Sequence, residues 1–391
     1  MADLAVSFVD SISEIGADAW NGLTGTDNPF MRYEFLWALE TTGCTTRRSG
    51  WQPHHVIVKQ VSPGLDETVA ILPLYLKTNS WGEYVFDWSW ANAYQSHGLD
   101  YYPKFVTSAP FTPSTGRRLF LRDGQDQQQV IALLKDAIAE KADFVRASSW
   151  HVLFPDAEQH GWFTDAGLLA RRACQFYWFN RDYSSFDDFL ARLSSRKRKN
   201  LKKERARVAE SGIRFTKLEG KEISEALWHD FYTFYQSTYL IRGMQGYLTP
   251  EFFIEVGKTM PEQLFMVCAE QGEKLIAAAL FFKSGDTLFG RYWGSARDYQ
   301  FLHFETCYYQ GQEYAIAHGF KRFDSGAQGE HKIQRGFEPL LTYSNHWIAR
   351  PEFREAIASF LREEEQHVQR YRQQASELLP FRSDLDQGSE D

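Results

Sequence analysis

The chain has 391 residues, including 31 Phe, 19 Tyr and 12 Trp; this much aromatic surface needs a large core, which excludes a disordered chain and suits two domains. Lys and Arg number 43 against 51 Asp and Glu, a formal charge of −8, so the overall balance does not draw the chain to nucleic acid or to anionic membrane. No run of ~18 apolar residues is present, which argues against a spanning helix.

The opening stretch, MADLAVSFVDSISEIG, has neither the basic start nor the apolar centre of a signal peptide. Cys44, Cys174, Cys268 and Cys307 are widely spaced, with no C-x-x-C, H-x-x-x-H or H-E-x-x-H pattern. Neither a metal site nor a disulfide framework is expected, and a reducing, cytoplasmic location is.

Ala5–Val9 reads as a strand and Met31–Thr42 as a helix stopped by Gly43. His54–Val61 and Thr68–Leu76 read as strands paired across the turn between them. Trp81–Trp90 (WGEYVFDWSW) alternates and is strongly aromatic. Its Trp81, Trp88 and Trp90, with Tyr94, Tyr101 and Tyr102, either fill a core or line an apolar groove. The Pro/Ser/Thr/Gly loop ending in Arg117 and Arg118 reads as an anion-holding loop or as an ordinary turn with solvated arginines. Asp126–Glu140 has the stripe of an amphipathic helix. A strand at Trp150–Phe154, a short helix at Asp156–Thr164 and an extended Leu168–Asn180 follow.

Ser185 with Asp188 three residues on resembles an N-cap, and one helix is expected to run from there to Gly212. Within it, Arg196–Arg207 carries eight basic residues and one acid. Such a run is either a solvated face or a reader of phosphates, dense enough for a polyanion. Arg198, Lys199 and Lys202 are its candidate contacts.

Beyond Gly212 come a strand (Ile213–Leu218), an aromatic helix (Ile223–Tyr239), a second helix with Thr249 as cap and Pro250 at its first position, and a strand at Leu264–Glu270. Leu275–Lys283 and Thr287–Trp293 form a hairpin across Ser284-Gly285-Asp286. Phe304, Cys307, Tyr308, Gly311 and Ala315 then share a helix face that Gly319 ends. After a short strand, Phe320–Asp324, a polar cluster appears: Asp324, Ser325, Gly326, Gln328, Glu330, His331, Lys332 and Arg335. It reads as a wet surface loop or as a substrate site, since strand ends feeding Gly-rich loops are where α/β sheets place ligands.

The helix HFET…YYQGQEYAIAHG, the strand FKRFDSGAQGEHK and the following RGFEP resemble the FemAB-like family of N-acyltransferases in the GNAT (acetyltransferase-fold) superfamily. Tyr94–Leu119 and Arg196–Arg205 extend the likeness over most of the chain. The resemblance implies an α/β (α+β) class with tandem GNAT-like domains and mixed central sheets; the tail, with Phe353, Ile357, Phe360, Leu361, Val368 and Tyr371 as its stripe, reads as a long C-terminal helix from Pro351 to about Leu378. The boundaries expected are 1–180 for the first domain, 181–212 for a basic connecting helix and 213–391 for the second domain.

It also implies that two neighbouring central strands splay apart, leaving a strand edge for the donor. The expected reaction is direct transfer from an activated donor, acyl-CoA, to an amine, with no permanently bound cofactor. The loop Gly294–Gln300 lacks the Q/R-x-x-G-x-G/A pattern that cradles a CoA pyrophosphate. Two alternatives therefore stand beside it: a Fem-like transferase using aminoacyl-tRNA on a cell-wall precursor, and a non-catalytic binding module for an anionic partner.

Such a transfer needs a base, an oxyanion donor and an acid. Glu305, His303 and His331 are the candidate bases; an aromatic wall would raise the Glu305 pKa into a useful range. Tyr292 or Tyr308 is the candidate acid. Arg291, Trp293, Asp324, Gln328, Lys332 and Arg335, with Arg117 and Arg118, are expected to contact donor or substrate. The plainer alternatives are that His303 and Glu305 cap a helix and that Arg291 pairs structurally with Asp324. No G-x-S-x-G elbow is present, which favours transfer without a covalent intermediate.

Overall fold

The computed structural model describes residues 3–62, 65–327 and 329–382; Gln328, an expected contact, lies outside them. The chain is of the expected α/β class, with mixed sheets and a long C-terminal helix. It packs as two compact units, one through Ala173 together with Leu341–Arg370, the other Cys174–Leu340 with the described residues from Tyr371 on. These differ from the boundaries at 180 and 212: the basic helix lies within the second unit and the terminal helix is divided between the two.

In the first unit, Asp3–Val9, His55–Ser62, Leu65–Leu72 and Phe120–Leu121 form a four-stranded antiparallel sheet in that order. A second sheet runs Trp51–Pro53, Tyr75–Lys77, Lys104–Thr107, Ser149–Leu153, with Ser344–Ile348 on its far side. Its middle pair is parallel. The helix Gln127–Val145 presses Val130, Ile131, Leu134 and Ile138 onto Val56, Leu72, Phe105 and Trp150, each such buried aliphatic side chain contributing roughly 1.5–3 kcal/mol. The alternating stretch Trp81–Trp90 is a loop leading into the helix Trp88–Ser96. Trp90, Tyr94 and Tyr101 are core against Phe353, Ile357 and Leu361, while Trp81 and Trp88 are exposed.

The second unit holds strands β1 (Leu169–Phe179, which the chain enters from the first unit), β2 (Ile213–Glu219), β3 (Leu264–Gln271), β4 (Lys274–Lys283), β5 (Thr287–Ser295) and β6 (Arg322–Asp324). The sheet order is β2-β3-β4-β5-β6-β1. Pairing is antiparallel except between β5 and β6, which are parallel. Ile276–Phe282 of β4 are all buried, the continuous apolar run of a strand covered on both faces.

The expected single helix 185–212 is instead two, α1 (Phe186–Arg192) and α2 (Ser195–Glu210). Leu193 turns extended between them, buried, and bridges Phe381. Helices α3 (Glu225–Leu240) and α4 (Pro250–Thr259) pack beside β5. Leu302–Phe304, a π-turn at Glu305–Tyr309 and Gln310–Ala317 form one continuous helix, α5. Two glycines set the approach of helix to sheet. A Cβ on Gly294 would lie 2.0 Å from the Phe234 carbonyl oxygen of α3, and one on Gly311 2.8 Å from the Phe323 ring.

Candidate functional site: the opening between β5 and β6

β5 and β6 pair at only three positions, Thr287 with Arg322, Leu288 with Phe323 and Phe289 with Asp324. β6 stops there, while β5 continues to Ser295 paired with β4 alone on its other edge. The two parallel strands thus part after Phe289, as the resemblance implies. A bulge sits at the parting point: Leu280 faces Tyr292 and Phe281 faces Gly290, so Arg291 is the extra residue. A bulge re-aims its side chain, and Arg291 reaches Asp324 with Nη2 2.6 Å from Oδ2. Its Nη1 also donates to the Asp324 carbonyl at 3.1 Å. The side chains are 2 % and 0 % exposed, so this pair is a structural strut across the base of the opening.

The loop after β6 turns on Gly326 and Gly329, both at positive φ. Asp324 Oδ1 accepts from the Gly326 amide at 2.9 Å. Buried Lys332 donates from Nζ to the Ser325 and Gly326 carbonyls at 3.1 and 2.7 Å. Burial pushes its ammonium down to about 8, Asp324 partly offsetting this and Arg291 adding to it.

Two histidines flank the opening. The His303 ring lies against Trp293 of β5 and against Tyr308, each centroid 5.2 Å away, and 6.2 Å from the His331 ring. His331 Nε2 is 2.9 Å from the Tyr308 hydroxyl. Burial holds the Tyr308 phenol well above its usual range, so it keeps its O–H, which can donate to Nε2 in the tautomer that carries its proton on Nδ1. Both imidazoles are pushed down to about 4. Burial is the largest cause; for His303 the neighbours His331, Lys332 and Arg335 add to it, for His331 Arg335 and Lys332. At neutral pH each is therefore uncharged and able to take a proton.

Arg335 is buried with its Cζ 3.5 Å from the Phe304 ring centroid. It donates to the His331 carbonyl at 2.7 Å and to both oxygens of Glu204 at 2.9 Å. The Tyr309 hydroxyl also donates to Glu204. The lone acid of the basic run thus anchors α2 beside α5.

The structure therefore brings His303, His331, Lys332, Arg291, Asp324, Arg335, Trp293 and the candidate acid Tyr308 together, and adds Phe304. Glu305 does not join them. Its oxygens accept from Arg205 Nε and Nη2 at 2.8–3.2 Å and from Gln310 at 2.7 Å. It lines a separate groove of about 520 Å³ with Phe186, Lys202, Arg205 and Phe215. A carboxylate held this way is an ion-pair partner rather than a base. Tyr292 points to the other face of β5, against Tyr235, Phe253 and Phe282. In the first unit, Arg118 is fully buried and spends its guanidinium on the carbonyls of Ser114, Gly116, Arg117 and Leu153. Arg117 is exposed and pairs with Glu158 at 3.0 Å. On α2, Lys199 and Lys202 are exposed and Arg198 half-buried; Lys202 pairs with Asp187 at 3.2 Å.

A family model described as peptidoglycan biosynthesis/recognition, FemAB-like, matches residues 11–383. The chain belongs to the FemAB-like family. Among solved structures it is similar to FemX, at 12% identity over 90% of this chain and 100% of that one, with a TM-score of 0.51. It is also similar to L-PGS from Bacillus licheniformis (11% identity, 84% and 96% covered, TM-score 0.47). A tandem GNAT protein from the clavulanic acid biosynthesis pathway matches as well (10%, 89% and 99%, 0.45). No curated protein matches. The FemX likeness shows that this FemAB-like chain shares that fold. Among the described residues no helix is long and apolar enough to cross a membrane.

Proposed function

We propose that this FemAB-like protein is a transferase that moves an activated acyl group onto an amine at the opening between β5 and β6. One observation carries the reading: the parallel strands part at Phe289 and Asp324, and two imidazoles with depressed proton affinity, His303 and His331, flank the parting. Beyond Phe289 β5 has no strand partner on the β6 side, and the backbone there up to Tyr292 can take an extended donor arm or peptide; the next carbonyls, of Trp293 and Ser295, are already bonded by Thr238 and Ser237 of α3. As the amine attacks the carbonyl, neutral His303 accepts its proton; the adduct then breaks its bond to the donor, and the protonated imidazole returns that proton to the departing CoA thiolate or tRNA 3′ oxygen, while Trp293 and Tyr308 hold the ring in place. Tyr308, donating to His331, keeps that ring's other nitrogen protonated and able to hydrogen-bond a polar substrate group. The family's description points to a peptidoglycan precursor as the source of the amine.

The donor divides the proposal. An acyl-CoA is one reading. The second, an aminoacyl-tRNA, is favoured by α2, where exposed Arg196, Lys199 and Lys203 recur at i, i+3 and i+7 with no ion-pair partner among the described residues. The test is incubation with a synthetic muropeptide amine and either labelled acyl-CoA or labelled aminoacyl-tRNA, for the wild type and for His303→Gln. Product from one donor, lost in H303Q, supports the reading. Product that survives H303Q undiminished removes His303 from the chemistry, and no product from either donor sinks the proposal.

A further inference from the structure

The first unit carries a surface that the proposed transfer does not use. Trp81, Phe86 and Trp88 are 49 %, 54 % and 42 % exposed, three of the nine large apolar side chains so exposed among the described residues, within eight positions. Trp81 and Trp88 stand together, their centroids 5.5 Å apart. The loop's two acids, Glu83 and Asp87, are turned inward and are 2 % and 3 % exposed. Lys104 Nζ holds Glu83 at 2.7 Å and Asp87 as well, and Tyr101 donates to Asp87 at 2.7 Å. Lys77 donates to the Trp81 carbonyl at 3.1 Å while lying 3.8 Å from the Trp51 ring centroid. The loop is thus pinned from beneath by buried charge, and its outer face carries none. The helix that follows, Trp88–Ser96, has no charged residue either.

Beside this knob lies the loop of Arg47 and Arg48. The Asn79 amide donates to the Ser49 carbonyl at 3.4 Å, the Thr78 amide to Gly50 at 3.4 Å, and Trp51 Nε1 to the Trp81 carbonyl at 2.9 Å. Gly50 makes the approach feasible, since a Cβ there would lie 2.1 Å from Asn79 Nδ2. Arg47 and Arg48 are exposed, with no ion-pair partner among the described residues. Trp is the side chain most at home at the boundary of headgroups and acyl chains, and arginine binds phosphate.

We infer that this face docks on the surface of an anionic lipid bilayer: Trp81, Phe86 and Trp88 enter the headgroup region and Arg47 and Arg48 take lipid phosphates. Two features select a bilayer over a protein partner. The outer face of the loop is apolar yet free of charge, and the cations stand beside it rather than within it, as an interface-lying contact requires. The overall charge of −8 makes this patch a local exception, and gives the contact an orientation.

The experiment is co-sedimentation of the full chain with vesicles of pure phosphatidylcholine and of phosphatidylcholine with phosphatidylglycerol. The wild type is expected to bind the second far better. The pair Arg47→Gln, Arg48→Gln should weaken binding about 30-fold, two surface cations' worth. Trp81→Ser with Phe86→Ser and Trp88→Ser should weaken binding to both vesicles by about tenfold or more. If the triple variant folds poorly, Trp81→Ser alone and the arginine pair still decide the matter. No binding by the wild type, as a protein-docking face would give, or binding that ignores all five residues, overturns the proposal.

Discussion

Arg291 Nη2 lies 2.6 Å from Asp324 Oδ2, and neither side chain meets solvent beyond 2 %. The pair spans the last rung of the β5–β6 ladder, where the sheet begins to open. In such a place the ion pair gives little net stability, because two desolvation costs offset the attraction, but removing one partner leaves a buried charge alone. Asp324→Asn is therefore expected to lower stability by about 3–5 kcal/mol. Arg291→Met with Asp324→Asn together should cost clearly less than the sum of the two single changes. Urea unfolding of the four proteins measures the coupling, and additive single effects would show that the strut does not exist.

Gly294 gives a second test. Helix α3 lies so close to β5 that Thr238 Oγ1 donates to the Trp293 carbonyl at 3.1 Å and Ser237 Oγ to that of Ser295 at 3.2 Å. A methyl at 294 would sit 2.0 Å from a backbone oxygen, which no rotamer change relieves. Gly294→Ala should cost about 3 kcal/mol, the upper end of ordinary overpacking. Trp293 would shift with its strand, carrying the wall of the His303 pocket. A crystal structure or a melting curve of G294A indistinguishable from wild type would contradict this.

Much of the second unit was legible because its elements carry local signals. The Ser-Gly-Asp turn, the Gly319 stop and the Thr249-Pro250 start each specify a boundary within a few residues. The strand Glu338–Ile348 went unread, because its far half holds Ser344, Asn345 and His346, which look wet but are buried. Burial of polar groups depends on partners remote in sequence: His346 Nδ1 lies 2.6 Å from His151 Nδ1, and Asn345 Oδ1 accepts from His160 Nδ1 at 2.9 Å. The same reason hid the partner of Glu305. Position in the helix says it faces the aromatic side; only the fold supplies Arg205, a hundred residues earlier. The alternation in WGEYVFDWSW reports a loop with its acids tucked under it, a pattern a two-residue period imitates. One cue was available: a single acid, Glu204, among eight cations marks the face of α2 that turns to the protein.

Glu305 and His303 should behave as opposites on substitution. Glu305 is an interior ion-pair partner, 3 % exposed, so Glu305→Gln is expected to lower stability by about 3 kcal/mol through the stranded Arg205. The transfer rate per folded molecule should hold. His303 forms no ion pair among the described residues and lies against the rings of Trp293, Phe304, Tyr308 and His331, so His303→Gln should change stability by about 1 kcal/mol or less. Loss of a general base lowers turnover about 10²–10⁴-fold. Unfolding curves and single-turnover transfer on the same preparations separate the two roles. A catalytic loss in E305Q at full stability would return the carboxylate to the chemistry.

Acid should loosen the site before it unfolds the rest. His303 and His331 are held near 4 in the folded chain, below the ordinary imidazole value of 6.5. Between those values the unfolded chain binds protons that the folded one refuses, so stability is full above pH 6.5 and falls as pH drops toward 4. From pH 7 to pH 5, His303 alone accounts for roughly 2 kcal/mol, and His331, more exposed, adds in the same direction. His303→Gln should therefore flatten the acid limb of a plot of unfolding free energy against pH while leaving its neutral end in place. The same titration governs chemistry: the base is present in its working form down to about pH 5, so the acid limb of turnover should lie below the ordinary histidine range. A turnover midpoint near 6.5, or an acid limb unchanged by H303Q, would mean that the His303 imidazole is neither desolvated nor the group that takes the proton.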